Sequence, residues 1–533
     1  MTISLLIAAI IILLCVVLNR VSDKAGVPLL LFFILLGMTF GSDGIFRIQF
    51  DNYEFAEQIC SVALIFIMFY GGFGTNWEHA KPVALQAGLL STLGVVLTAG
   101  LVGIFCYGVL GMELLTSLLI GSVISSTDAA SVFSILRSRK LGLKENTASL
   151  LELESGSNDP CSYMMTFLVL SVMEGQATVG SAALMVFKQF FFAILVSVLV
   201  TLFARYMFKR FSFSAAGSDT IFVIGLALFS YAAAGALGGN GYLSTYFVGI
   251  LLGNSDIGNK KTLVPFFDGV TGLMQILVFF LLGLLAFPKV LGEVFVMSVL
   301  IGLFLTFIGR PAAVFLILAP FRCSTRQKLL VSFAGLRGAA SIVFAIMAAV
   351  SPAYGQDNVF HIVFGIVLLS IAIQGTLIPW AAKRLDMIDK DANVLKTFND
   401  YEEANVQFVE LPLHNRHPWN GKTISDISLV PDMLIILIRR GVEALIPGGD
   451  TVLAEGDRVV LSAPAFQGDY AILLLEKKIG LRSKWVGRTI SEYSTNPREL
   501  IILIRRGEET VIPRGDTVLE AEDVLVIHSD RIR

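Results

Sequence analysis

Asn158 and Asp159 lie side by side in ELESGSNDPCSYMMTFLVLSV, a run otherwise apolar enough to cross a bilayer. A carboxylate at membrane depth is costly to hold, and such residues mark ion or proton paths rather than packing. Glu152, Glu154, Ser155 and Ser157 crowd the same stretch. On a helix, residues four apart share a face, so Ser155 stacks with Asp159 and Glu154 with Asn158. Pro160 cannot donate to the carbonyl of Gly156, which predicts a loosened turn with an oxygen available to a ligand. An oxygen-lined pocket suits a hard monovalent cation. The chemistry is exchange of charge: one acid takes either a proton or a desolvated cation, so the two compete for Asp159.

A second polar interruption falls in SVISSTDAASVFSIL, where Ser125, Ser126, Thr127 and Asp128 sit mid-span. Secondary transporters build discontinuous helices in this way, with freed backbone ends facing the substrate near the midplane. Asp128 is open to two readings, a cap at the break or a direct ion contact. Arg337, in VSFAGLRGAASIVFAI, keeps its charge in any protein environment and so needs an acid at membrane depth. Glu154 is the expected partner; the alternative is that Arg337 snorkels to the cytoplasmic face near Lys328. Thr271 and Gln275 are the polar residues noted in the span near 264–287.

The elements that must position these residues are membrane helices. Hydrophobic residues make up 55% of the 533 and charged residues 15%, with mean hydropathy +0.76. Soluble chains run at roughly 25% charged. About thirteen apolar windows precede residue 385, near 2–19, 26–42, 57–74, 83–109, 113–136, 147–173, 180–208, 218–236, 240–253, 264–287, 291–318, 328–350 and 357–381. Lys and Arg gather in the odd-numbered breaks, among them Arg20, Lys24, Arg139, Lys140, Lys260 and Lys261, while the even breaks carry little beyond Arg47 and Lys289. The positive-inside rule then puts the N-terminus outside and the tail in the cytoplasm of a multi-pass cell-membrane protein. The first window lacks a basic n-region and a cleavage site, so it is expected as a retained span.

Other classes are disfavoured. A net charge of −2 makes no case for nucleic acid. Cys15, Cys60, Cys106, Cys161 and Cys323 form no CxxC pair, and neither HExxH nor GxSxG occurs, so an enzyme is not expected. A ligand-gated cation channel is the alternative of another class, but a TVGYG-like filter is absent.

The tail repeats itself. WNGKTISDIS with LIILIRRGVEALIPGGDTVLAEGDRVVLSA returns as WVGRTISEYS with LIILIRRGEETVIPRGDTVLEAEDVLVIHS; Trp419 and Trp485, Gly441 and Gly507, Asp457 and Asp523 are each 66 apart. Each copy reads as a hairpin plus a further strand, with a short capped helix at Thr423 or Thr489. Two such modules of about 60 residues pack on each other or on a second chain, since one alone buries little core. The expected division is 1–385 exchanger domain, 386–404 linker, 405–466 first module and 467–533 second module.

The strings SSTDAAS, ELESGSNDP and GLRGAASIV resemble the NhaP-type monovalent cation/proton antiporters over most of residues 1–385. The resemblance implies that Asp159 is the cation and proton carboxylate, Ser155 a cation ligand and Thr127 a backbone-carbonyl ligand. It also implies that Asp128 supports the helix crossing, that Asn158 braces the broken helices and that Glu154 pairs with Arg337. An Asn-Asp pair accompanies electroneutral exchange in that superfamily. A homodimer with a rigid interface domain and a moving core domain is implied, with no cofactor beyond the transported K+ or Na+ and H+. Sodium-selective members resemble FEGG at the end of the third span, whereas Tyr70 replaces the acid in FYGGFGTNWEH, which favours potassium/proton exchange. The tail repeats resemble TrkA-C modules, the C-terminal half of RCK domains. These dimerise and sense small ligands, including cyclic dinucleotides; Arg439, Arg440, Arg505 and Arg506 are the candidate contacts for such a nucleotide effector, and the alternative is that the modules only hold a dimer together. His414 and His417 read as surface residues. The fold class expected is an all-α polytopic membrane domain, an inverted repeat with broken crossing helices, followed by a cytoplasmic α+β tandem-repeat domain.

Overall fold

The computed structural model describes residues 6, 9–18, 28–138, 141–176, 179–210, 217–255, 257, 260–353, 358–389, 406–415, 417–429, 433–441, 443–464, 474–481, 483–493, 499–507, 509–511 and 513–529. Arg20, Lys24, Arg139, Lys140 and most of the expected linker lie outside the described residues. The chain divides into two compact units, Met1–Tyr401 and Glu402–Arg533.

The first unit is helical. Among the described residues, seven helices are long and apolar enough to cross a membrane: Tyr53–Gly74, Trp77–Gly108, Gly180–Arg210, Ser218–Ala236, Thr262–Leu285, Pro288–Leu318 and Val359–Arg384. Five apolar helices are shorter: Ala9–Leu18, Leu29–Phe40, Leu114–Val123, Gly241–Gly253 and Ala339–Val350. The fifth window is two pieces, Leu114–Val123 and Ala129–Ser138. The twelfth is likewise two, Thr325–Phe333 and Ala339–Val350. The helix Thr147–Met173 runs unbroken through Pro160. The loosened turn expected there is therefore not a break, and Asn240 Nδ2 donates to the carbonyl of Pro160 itself at 2.9 Å.

Local chemistry explains several ends. Asn52, Asn240 and Ser324 each accept an amide of the first turn they precede, satisfying donors that have no partner within the helix. Wide-turn segments interrupt the fourth and eleventh windows at matching places, Leu90–Gly94 and Leu305–Gly309. Each of the two lies in the helix just before a broken one. Helices Tyr53–Gly74 and Gly241–Gly253 meet backbone to backbone: a Cβ on Gly72 would lie 2.3 Å from the Tyr246 carbonyl oxygen, and one on Gly249 2.4 Å from that of Phe69. Close contact of this kind replaces the hydrophobic drive that lipid removes.

In the second unit, strand Val406–Pro412 pairs with Arg458–Pro464, which pairs with Leu434–Arg440, which pairs with Glu443–Leu445, all antiparallel. The second copy repeats this order as Leu474–Lys478, Val524–Ser529, Glu499–Arg506 and Glu509–Val511. The hairpin and third strand are those expected; the strand opening each module was not. Gly441 and Gly507 take positive φ at the hairpin turns, a conformation glycine adopts without strain. The capped helix at Thr423 is one 3-10 turn, Ile424–Asp426, and its partner is Ile490–Tyr493.

Arg440 and Arg506 are spent inside these modules. Arg440 Nε and Nη2 donate to the two oxygens of buried Asp457 at 2.8 and 2.7 Å, and Nη2 also reaches the Val452 carbonyl at 2.9 Å. Arg506 makes the same fork to Asp523 at 2.9 and 2.9 Å. Arg505 pairs with Glu476 at 3.0 Å, and Arg439 is exposed. Two of the four candidate effector contacts therefore close the modules, because a buried aspartate directly after a tight turn is satisfied by a bidentate partner.

Two expectations follow. Gly249→Ala destabilises the detergent-solubilised protein by about 1–3 kcal/mol through overpacking, while Gly100→Ala, whose added carbon meets nothing within 4 Å, is neutral in the same thermal scan. The Arg440 guanidinium holds the Asp457 carboxyl below the usual carboxylate range. Its stabilisation is complete above the unfolded value of about 3.9 and vanishes as pH falls through the depressed native value. Hydrogen exchange of residues 406–464 in the full chain checks this: protection collapses at low pH, and Asp457→Asn loosens the module at neutral pH by about 2 kcal/mol.

Candidate functional site

Two broken helices cross. The extended stretch at 124–128 meets that at 334–338, and the amide of Asp128 donates to the Leu336 carbonyl at 2.8 Å. The hydroxyls of Ser126 and Ser341 lie 3.0 Å apart across the junction. Each break exposes helix ends whose amides and carbonyls need partners away from water.

Charged side chains meet those ends. Asp128 Oδ1 accepts the amide of Ser131 at 3.1 Å and Oδ2 accepts its hydroxyl, capping the helix Ala129–Ser138. The same carboxylate covers Gly338, where a Cβ would fall 2.1 Å from Oδ2, at the start of Ala339–Val350. One acid thus caps one half-helix and lies beside the start of another, where the dipole favours negative charge. Of the two readings of Asp128, the cap is realised, and the residue also borders the cavity described below. Arg337, fully buried, donates through Nη1 to the Ser126 carbonyl beyond the end of Leu114–Val123, and its amide donates to Ser370 Oγ at 3.1 Å.

The expected Glu154–Arg337 pair is not formed. Glu154 Oε1 instead takes Arg310 Nη2, with both side chains buried. The reason is positional: Arg310 opens the helix Arg310–Leu318 right after the wide-turn segment, whereas Arg337 is occupied at the crossing. Arg310 escaped notice in the sequence because the window 291–318 averages it with many apolar residues, although an arginine between Gly309 and Pro311 is the same signal that singled out Arg337.

The helix Thr147–Met173 is laced to the first break. Asn158 accepts the Thr127 amide through Oδ1 at 3.2 Å and donates through Nδ2 to Thr127 Oγ1 at 2.6 Å. Ser155 Oγ donates to the Thr127 carbonyl at 2.5 Å, and Ser162 Oγ to that of Ser122 at 2.6 Å. Ser155, Thr127, Asn158 and Asp159 are therefore brought together, as are Asp128 and Gly338 beside them. Glu154 and Arg337 stay apart.

Asp159 differs from these neighbours. Its side chain borders a cavity of about 20 Å³ lined also by Ser126, Thr127, Asp128, Gln275 and Gly338. Its Oδ1 has no hydrogen-bond partner among the described residues. A space of this size holds roughly one water-sized occupant. Leu64 and Ile67 of Tyr53–Gly74 close the far wall. A carboxylate with an uncommitted oxygen, facing hydroxyls and helix ends in a small space, can take a proton or coordinate a desolvated cation. At Tyr70, where an acid was expected in sodium-selective relatives, the hydroxyl donates to Asp268 Oδ1 at 3.0 Å. Asp268 was also missed, being averaged into an apolar window.

Residues 8–384 match the family described as sodium/hydrogen exchanger, transmembrane, and residues 408–465 and 474–532 each match the TrkA-C domain. The chain is 33% identical over 463 residues to the K(+)/H(+) antiporter NhaP of Alkalimonas amylolytica, covering 86% of this chain and 80% of that one. It is 28% identical over 315 residues to the Na(+)/H(+) antiporter NhaH of Halobacillus dabanensis, covering 56% and 76%. Its fold matches the solved structure of the sodium proton antiporter MjNhaP1 from Methanocaldococcus jannaschii with a TM-score of 0.63 at 21% identity, covering 72% of this chain and 99% of that one. Crossed broken helices around a buried acid with a free oxygen, a match over most of the membrane unit and a repeated TrkA-C tail lead to one assignment: the chain belongs to the sodium/hydrogen exchanger family and is a transmembrane cation/proton antiporter with TrkA-C modules.

Proposed function

We propose that the protein exchanges K+ for H+ electroneutrally across the cell membrane by alternating access, with Asp159 as the shared carboxylate. The observation that carries this is the uncommitted Oδ1 of Asp159 in a cavity beside the crossing of the two breaks. Ser155 Oγ and the Thr127 carbonyl are the further ligands. They hydrogen-bond each other at 2.5 Å, so a cation takes the carbonyl in exchange for that bond. Asn158 braces the break, Asp128 neutralises the amide ends, and Glu154 with Arg310 forms the structural ion pair. Asn158 beside Asp159 supports one charge exchanged for one. The potassium preference is supported by Tyr70 in place of an acid and by the names of the K(+)/H(+) relatives. Sodium exchange is the second reading, supported by the Halobacillus relative.

The N-terminus is outside and the tail cytoplasmic in this reading. The tail modules form a homodimer and take a small effector. Arg439 is the contact left to solvent, whereas Arg440 and Arg506 reach a phosphate only by leaving Asp457 and Asp523.

Purified protein in proteoliposomes tests the core of this. Asp159→Asn reduces cation-dependent proton movement to the level of protein-free liposomes, and retained exchange would sink the proposal. Proton and cation competition raises the apparent KM for K+ as pH falls, while the rate at saturating K+ is preserved. Dequenching with KCl against NaCl decides the ion. Glu154→Gln, which strands a buried arginine, lowers stability by about 3–5 kcal/mol; pairing it with Arg310→Gln recovers most of the loss in a thermal unfolding scan.

A further inference from the structure

The helix Lys260–Leu285 carries a polar row that leads to the cation site. Asp268, Thr271 and Gln275 follow at spacings of three and four and so share one face. Gln275 borders the cavity at Asp159. Thr271 is buried, with its Oγ1 lacking a partner among the described residues. Asp268 ends the row seven residues before Gln275, about 10 Å along the axis. It is exposed, yet it sits within a span, where a carboxylate facing hydrocarbon is strongly disfavoured. Its place is therefore a water-filled approach.

Tyr70 fixes that carboxylate. Tyr70 belongs to the neighbouring helix Tyr53–Gly74; it is buried, and its phenol donates to Asp268 Oδ1 at 3.0 Å. The bond engages one oxygen of the carboxylate, Oδ1. A tyrosine where relatives of the other branch carry an acid thus does not leave this side of the site without a carboxylate; the acid stands on the facing helix instead.

We propose that Asp268 is a second cation-binding carboxylate, a staging site that collects K+ from the cytoplasmic side and passes it along Thr271 and Gln275 to Asp159, with Tyr70 as its positioning residue. This rests on the exchange reading above and on the orientation that puts Lys260 in the cytoplasm. The physical effect is a raised local cation concentration about 10 Å of helix rise before Gln275 at the cavity. The effect belongs to cation capture and not to the turnover of the loaded carrier.

Everted membrane vesicles bearing the full chain present the cytoplasmic face to added KCl, and acridine dequenching gives apparent KM and maximal rate. Asp268→Asn keeps an acceptor for Tyr70 and removes only the charge. It raises the apparent KM about threefold to tenfold at low ionic strength with the maximal rate little changed, and added choline chloride shrinks the difference. Asp268→Glu restores the wild-type KM. Tyr70→Phe keeps the charge, removes the hydrogen bond and raises KM less than Asp268→Asn does. An unchanged KM in Asp268→Asn at low ionic strength overturns the proposal. So does a pattern in which Tyr70→Phe lowers the maximal rate while Asp268→Asn leaves both parameters alone, the signature of a strut between helices. Absence of exchange in the wild-type vesicles would instead overturn the antiport reading on which the staging site depends.

Discussion

Two interrupted helices that cross inside a membrane create unsatisfied backbone ends where no water can reach them, and the rest of the structure answers that constraint. Asp128 takes an amide end of the first break, and Arg337, from the second, takes a carbonyl of the first. Opposite charges placed on opposite ends cancel locally. Without them the crossing would have to be a continuous helix, and a continuous helix has no free backbone to offer an ion. Asp159 then remains as the acid whose charge is not consumed by the scaffold. A single positive charge, proton or alkali cation, completes the balance.

The second consequence concerns what can move. Asn158, Ser155 and Ser162 bind Thr147–Met173 to the first break, and the Arg310–Glu154 pair binds it to the eleventh window. These elements are locked by hydrogen bonds and one buried ion pair. The other wall of the cavity, Leu64 and Ile67 with Gln275 and Phe279, offers mostly apolar side chains. Apolar contact is non-directional, so it can slide where a hydrogen-bonded lattice cannot. The division between a laced body and a smooth facing wall passes through Asp159 itself, which is where the proposed alternating access requires it.

Much of this was legible in the residues. Thr147–Met173 was bounded correctly because its flanks change polarity sharply, and the break at 124–128 announced itself through four adjacent polar residues. The break at 334–338 was not read from the window 328–350, because Gly, Leu, Arg and Gly are compatible with a helix carrying one buried charge; only the approach of the other break makes extension favourable there. Arg310 and Asp268 were hidden by averaging, which dilutes one charge among twenty apolar neighbours. Partner choice was the least legible feature of all. Glu154 could reach an arginine on either of two later spans, and chain order carries no information on which one arrives. In the tail the repeat fixed the strands, but the 17-residue interval from Arg440 to Asp457, repeated from Arg506 to Asp523, reads as a clamp only once the hairpin has folded back.

The placement of acids also bears on which ion is carried. Stripping water from Na+ costs more than from K+, so a site prefers the smaller ion only when its ligands return a stronger field. A second carboxylate in direct contact with the ion would supply that field. Here the third-span position holds a phenol that is already donating, and the acid it binds lies seven residues, about 10 Å of helix rise, before Gln275 at the cavity. At that distance a carboxylate attracts either ion almost equally, because the long-range field depends on charge and not on radius. With the ligands proposed for it, Asp159 with one hydroxyl and one carbonyl is a weak-field site, which returns too little to compensate sodium's greater dehydration cost. An acid in the proposed approach, and not in the contact shell, then keeps cation capture while relaxing selection, and the balance tips toward the ion that is easier to desolvate.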